Sequence, residues 1–137
     1  MGALVIYYSY TGKTKRLAET LAKDLQADVI ELKEAQKRST LSAYLLGSQA
    51  ARKQEQAKLQ DFNSDFSSYD KIIIAAPIWA GYPAPAMNNV IALLPEGKEI
   101  ELILSSGSGK SKGSAEKTKA LIEARGCKVV KYQDVKG

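Results

Sequence analysis

Apolar residues along this chain follow two patterns that alternate: short continuous runs, and positions recurring every third or fourth residue. Residues 3–8, Ala-Leu-Val-Ile-Tyr-Tyr, form a continuous run and predict a strand buried on both faces. Leu17, Leu21 and Leu25 follow at i, i+4 spacing, with Ala18 and Ala22 beside them, and predict an amphipathic helix. Glu19 and Lys23 make a favourable pair on its outer face. Residues 28–32 predict a second, shorter strand. The stretch 33–70 has the weakest pattern: Thr40 or Ser42 could cap a helix carrying Leu41, Tyr44, Leu45 and Ala51, and Phe62, Phe66 and Tyr69 punctuate a polar loop.

Lys-Ile-Ile-Ile-Ala-Ala at 71–76 is the strongest strand signal, and it runs into a loop, Pro77-Ile78-Trp79-Ala80-Gly81. A helix is predicted from about Pro83 and Pro85, both tolerated in a first turn, burying Met87, Val90, Ile91 and Leu94. Residues 100–104 predict a fourth strand, followed by a loop of serines, glycines and lysines over 105–113. Ser114 would cap the next helix, which packs Leu121 and Ile122 and closes at Gly126. Residues 128–132 predict a fifth strand. Strands separated by helices argue for a parallel sheet covered on both faces, hence an α/β fold. No repeat or linker interrupts the pattern, so residues 1–137 are read as a single domain.

Composition narrows the chemistry. The chain has 137 residues, 45% of them hydrophobic, enough to bury a core in one domain. Its one cysteine excludes an internal disulfide. No apolar run approaches the ~20 residues needed to span a bilayer, and the N-terminus opens straight into a strand-like run rather than a signal peptide. A cytoplasmic protein without a membrane segment is the expectation. There is no histidine, which removes Ser–His and Cys–His nucleophile pairs, imidazole bases and histidine metal ligands. No catalytic side chain and no metal ligand is assigned. Chemistry must then come from a bound cofactor, a carboxylate or the backbone.

Charge is uneven. Residues 1–104 hold 12 Lys/Arg and 12 Asp/Glu, whereas residues 105–137 hold 8 and 3, so the net charge of +5 belongs to the last quarter. Such an end can attract an anionic partner. It reads better as a solvated helix face and edge strand, because no aromatic residues interleave with the lysines as nucleic-acid binding requires. No nucleic-acid partner is expected.

In parallel sheets of this kind, ligands bind at the carboxyl ends of the strands, where the strand order reverses. Three loops leave such ends. The first holds Ser9, Tyr10, Thr11, Gly12, Lys13 and Thr14 immediately before a helix, where free backbone N–H groups favour an anion and the hydroxyls add donors. It is not a nucleoside-triphosphate loop, since Tyr7 stands where that motif needs glycine, and Gly109-Lys110-Ser111 fails likewise, with Leu104 in the required place. The second loop holds the single tryptophan, Trp79, between Pro77 and Pro83, where it could stack on a planar ligand or simply cap the end of the sheet. The third, with Ser106, Gly107, Ser108 and Gly109, lets backbone donors approach a ligand closely, although a mobile linker would have the same composition.

Together these loops resemble the flavodoxin-like FMN-binding proteins. Tyr-Tyr-Ser-Tyr-Thr-Gly-Lys-Thr resembles that family's first phosphate loop, and Ala-Pro-Ile-Trp-Ala-Gly-Tyr-Pro-Ala-Pro-Ala-Met-Asn resembles the second loop of its short branch. The resemblance implies a three-layer sandwich with a five-stranded parallel sheet in the order 2-1-3-4-5 and FMN at the switch point. It places Ser9, Tyr10, Thr11, Gly12, Lys13 and Thr14 around the phosphate. Pro77, Ile78, Trp79, Ala80 and Gly81 would lie at the isoalloxazine, and Ser106, Gly107, Ser108 and Gly109 at its polar edge. The activity it implies is electron transfer, with redox proteins or a quinone-like small molecule as partners. A nicotinamide-dependent quinone reductase and a cofactor-free interaction module on the same fold are the competing readings.

Three departures from the family pattern carry expectations of their own. The chain has no room for a last helix, so an apolar sheet face would be left for a second copy to cover, as a homodimer, unless the fold is altered there. Lys110 and Lys112 in the third loop would make a bound flavin easier to reduce. That loop also lacks an aromatic cover for the flavin's second face, leaving it to a substrate or to Tyr44 or Tyr82.

Overall fold

The computed structural model describes residues 2–9, 12–34, 56, 58–62, 65–79, 82–106 and 114–136, although the side chains of Lys13, Trp79, Ser106, Ser114, Ala115 and Lys136 are not among the described features. In chain order the elements are β1 (Gly2–Tyr8), α1 (Lys13–Leu25), β2 (Asp28–Leu32), β3 (Tyr69–Trp79), β4 (Tyr82–Pro83), α2 (Ala86–Leu93), β5 (Glu99–Ser106), α3 (Ser114–Glu123) and β6 (Lys128–Lys136). Five strands form a parallel sheet in the order β2-β1-β3-β5-β6, and β4 pairs with β3 off this path. With β5 and β6 as the fourth and fifth strands of the main sheet, this is the expected 2-1-3-4-5 order. The helix weighed between Thr40 and Ala51 lies outside the described residues.

Helices cover both faces. On one, α2 and α3 press Met87, Val90, Ile91 and Ile122 against Leu4, Ile6, Ile72, Ile74, Ile100, Leu102 and Leu104, all at most 5% exposed. On the other, α1 rests Ala18 and Ala22 on Val5, Tyr7, Ile73, Ala75 and Ile103. The contact side of α1 is thus built from its alanines, which let the helix backbone approach the sheet closely. Leu17 and Leu21 pack from the flanks, and Leu25 is exposed.

Several elements differ from the sequence pattern, each for a physical reason. The strand beginning at Tyr69 does not stop at Ala76 but continues to Trp79, and Tyr82–Pro83 folds back antiparallel, pairing Ile78 with Pro83 and Trp79 with Tyr82. Pro83 therefore belongs to a strand, and the helix starts at Ala86. Proline is admissible there because β4 is a two-residue edge that needs no N–H from it on its outer side. The last strand runs to Lys136, staying paired with β5 as far as Ser106. Its mixed sequence, Lys-Tyr-Gln-Asp-Val, hid it because an edge strand is only partly buried and need not be apolar. Phe66, expected in a polar loop, is 1% exposed in the core. Leu121, expected to pack, faces outward, while Thr118 and Ile122, one turn apart, form the buried side of α3.

On the face opposite α2 and α3, the central strands carry two large apolar residues, Ile73 and Ile103. Ile73 and Ile103 are at most 2% exposed, packed with Leu17, Leu21 and Val135 around them. Beside them the surface turns ionic: Glu101 is buried, with Lys71 Nζ at 3.3 Å and Lys131 Nζ at 3.7 Å from its carboxylate.

Candidate functional site

The sheet order reverses at β1, whose neighbours are β2 on one side and β3 on the other. The site is therefore sought at the carboxyl ends of β1, β3 and β5. Register aligns them: Tyr7 pairs with Ala75, Ala75 with Ile103, and Pro77 with Ser105. Ser9 follows directly on the end of β1.

The first loop turns sharply at Gly12, whose φ of 96° lies in the left-handed region. A side chain there would be strained by its backbone even though the space around it is open. The Gly12 N–H donates to Ser9 Oγ at 3.0 Å, tying the end of β1 to the start of α1. Gly12 occupies the N-cap of α1 and has no side chain with which to cap it; the first helical bond runs from Arg16 N–H to the Gly12 carbonyl at 3.1 Å. The first-turn N–H groups preceding Arg16 therefore have no helical acceptor. Thr14, in that turn, is buried, and its hydroxyl lies 2.9 Å from the hydroxyl of Ser105 at the end of β5. Thr14, predicted to lie at a phosphate, is in this way joined to the end of β5.

The two sides of the second loop pair antiparallel. After β3 and β4 pair, the Ala84 N–H donates back to the Pro77 carbonyl at 2.9 Å. This fixes the backbone of Pro77, Ile78 and Trp79 at the sheet end, with Pro77 and Ile78 half-buried. Tyr82, named as a possible cover for a ligand face, is instead engaged with α3: Lys117 Nζ donates to its hydroxyl at 2.9 Å. That ammonium is 5.4 Å from the ring centre, nearly as far as hydroxyl and ring together allow, so it lies beyond the hydroxyl edge and off the π face. At the mouth of β1, the buried Tyr8 hydroxyl donates to Glu34, just past β2.

Of the sequence-predicted site residues, Ser9, Gly12, Thr14, Pro77 and Ile78 are brought to this common end of the sheet, as are the backbones of Lys13, Trp79 and Ser106. Tyr10, Thr11, Ala80, Gly81, Gly107, Ser108 and Gly109 lie outside the described residues, as do Tyr44, Lys110 and Lys112. Two participants were missed. Ser105 was taken as the first residue of a loop, yet it is the buried penultimate residue of β5. Lys117 was read as part of a solvated helix face. Continuing the alternation of β5 by one step would have put Ser105 level with Ile103 and Glu101; no sequence signal marks Lys117.

Beneath the site, burial pushes the Tyr7 phenol up to about 12, with the nearby Glu31 and Glu19 carboxylates adding to the effect. Tyr7 thus stays neutral under α1. No helix among the described residues is long and apolar enough to cross a membrane.

The fold and the family are both matched by known proteins. Residues 1–133 match the model of the family described as NADPH-dependent FMN reductase. No curated protein matches the chain in sequence. Among solved structures, a Bacteroides eggerthii protein provisionally classed as a flavoprotein superposes with a TM-score of 0.80 at 23% identity, covering 96% of this chain and 86% of that one. A Lactobacillus acidophilus flavoprotein in complex with FMN gives 0.75 at 23% identity, over 96% of this chain and 91% of its own. A Streptococcus pneumoniae flavodoxin gives 0.58 at 17% identity, over 98% and 86%. At these identities the structural matches establish the flavodoxin-like fold, and the family model establishes kinship.

Proposed function

The chain belongs to the NADPH-dependent FMN reductase family, and we propose that it holds FMN at the carboxyl ends of β1, β3 and β5 and uses it to pass electrons between cytoplasmic redox partners. The donor set fits this cofactor. A phosphate dianion is matched by uncapped first-turn N–H groups, by the α1 dipole and by the Thr14 hydroxyl. Gly12 lets backbone and anion approach closely, and its N–H donates to the Ser9 hydroxyl. The backbone end of β3, braced by β4, would flank the flavin ring, and the end of β5 with the loop after it would meet its polar edge.

FMN supplies hydride and single-electron chemistry when bound; the protein supplies position, electrostatics and exclusion of water. This division explains how a chain without histidine can serve redox chemistry. The observation that carries the reading is the convergence of the uncapped α1 N-terminus with the ends of β3 and β5, joined through Thr14 and Ser105. A visible absorption spectrum before and after addition of FMN and desalting tests it. A retained flavin band, lost in Trp79→Ala and in Thr11→Ala, is the expected result. A colourless protein that takes up no FMN would make the loops relics and bring forward a cofactor-free interaction module.

The family's description favours a second reading, in which the same flavin takes hydride from NADPH and passes it to a quinone-like acceptor. Steady-state NADPH consumption with a quinone, compared with free FMN at equal concentration, separates the two. Turnover well above free FMN supports the reductase; background turnover together with rapid reduction by a partner protein supports the carrier.

A further inference from the structure

Thr14 and Ser105 are 91 positions apart, and their hydroxyls meet at 2.9 Å in the protein interior. They are 3% and 6% exposed, so neither hydroxyl can rely on bulk water. Each carries one proton and two lone pairs. A bond between them uses one of the two protons and leaves the other for a different acceptor. Which hydroxyl donates thus decides where the remaining proton goes.

The surroundings favour one choice. Thr14 sits in the first turn of α1, where N–H groups and the helix dipole make an anion the natural neighbour. Ser105 sits on the sheet, between Pro77 on β3 and Val135 on β6, among largely apolar side chains. An alanine would fill that position without an internal polar group to satisfy, so the hydroxyl has its use in the bond it makes.

We propose that Ser105 is a positioning residue for the anionic end of the ligand: it donates to Thr14 Oγ1 and so commits the Thr14 proton to a phosphate held at the first turn of α1. Ser105 acts through Thr14 without touching the phosphate. The arrangement makes the site selective for a phosphorylated flavin over the same ring without phosphate. This rests on the FMN reading above and adds to it the device by which the phosphate is recognised.

The test compares FMN with riboflavin, which share the ring and differ in the phosphate. Affinities for both are measured by quenching of flavin fluorescence, and melting of the apoprotein verifies the fold of each variant. Ser105→Ala should weaken FMN about tenfold at most, because the Thr14 hydroxyl loses the neutral hydrogen bond that holds its proton towards the phosphate, and leave riboflavin within twofold. Ser105→Thr keeps the donor and should restore FMN affinity. Ser105→Cys keeps the volume but offers a weak donor, so it should fall between, and it carries the comparison if the alanine variant does not fold. Thr14→Val should lose as much as Ser105→Ala or more, and the double variant no more than Thr14→Val alone. Equal losses for FMN and riboflavin, or no loss for either, would overturn the role given to Ser105 while leaving FMN binding intact. Failure of the unaltered protein to bind FMN would instead remove the reading on which the proposal stands.

Discussion

The two faces of the sheet are built on different principles. The α2/α3 face is a layer of branched aliphatic side chains from β1, β3 and β5 meeting Met87, Val90, Ile91 and Ile122. The α1 face sets alanines against Val5, Tyr7, Ile73, Ala75 and Ile103, with the ionic group of Lys71, Glu101 and Lys131 towards one end of β5 and the Thr14–Ser105 hydroxyl pair at the other. The first face stabilises the fold by excluding water. The second gives up part of that gain to hold polar groups in fixed positions, and it is the face on which the proposed phosphate end is assembled. Stability and ligand chemistry are thus divided between the faces of one sheet.

This contrast can be broken most forcefully from the apolar side. Leu102 is fully buried in the middle of β5. Leu102→Ala should cost about 3 kcal/mol through lost burial and a cavity, read as a lower midpoint in urea unfolding, with the flavin affinity of the folded fraction unchanged. A cost below about 1 kcal/mol would mean that this face is not the main source of stability.

A smaller effect is expected from the ionic region. Glu101 is buried but its partners are not: the Lys71 and Lys131 side chains are 38% and 55% exposed. Removing the carboxylate leaves two ammonium groups that can turn to water, so Glu101→Gln should cost only about 1 kcal/mol. The difference from the unaltered protein should shrink between low and high salt. A loss as large as that of Leu102→Ala would show the ionic region to be as essential to the fold as the apolar layer.

The smallest effect appears only at alkaline pH. The Tyr7 pKa is raised from 10.0 to about 12, so the folded protein keeps this proton where the unfolded chain would release it. The resulting stabilisation is fully present below about pH 10 and is lost as pH rises through about 12. Tyr7→Phe should therefore flatten the decline in unfolding free energy over that window, relative to the unaltered protein. Parallel declines would show that Tyr7 titrates alike in both states.

Much of this division could be read from the chain. Continuous runs such as that over 72–76 marked the central strands, because a strand buried on both faces is apolar at most positions. The loops around Gly12 and Trp79 were legible because backbone geometry and an unusual side chain leave compositional marks. What was hidden is polar and long-range. Ser105 looked like loop because serine carries no strand signal, and the partner that explains it, Thr14, lies 91 positions earlier in the chain. The extension of β6 was hidden by its open edge, and the role of Pro83 by the fact that a strand of two residues has no periodicity.

The outer edge of the sheet has one more consequence. Among the described residues β6 pairs with β5 on one side and with no strand on the other. Its register slips where Val130 is passed over between the Ile100–Val129 and Glu101–Lys131 pairs. The slip leaves the rim uneven, and exposed Lys128 places a like charge on each copy of it. Two such rims brought together would meet out of step and repel. The long open strand is thereby poorly suited to template the growth of a fibril.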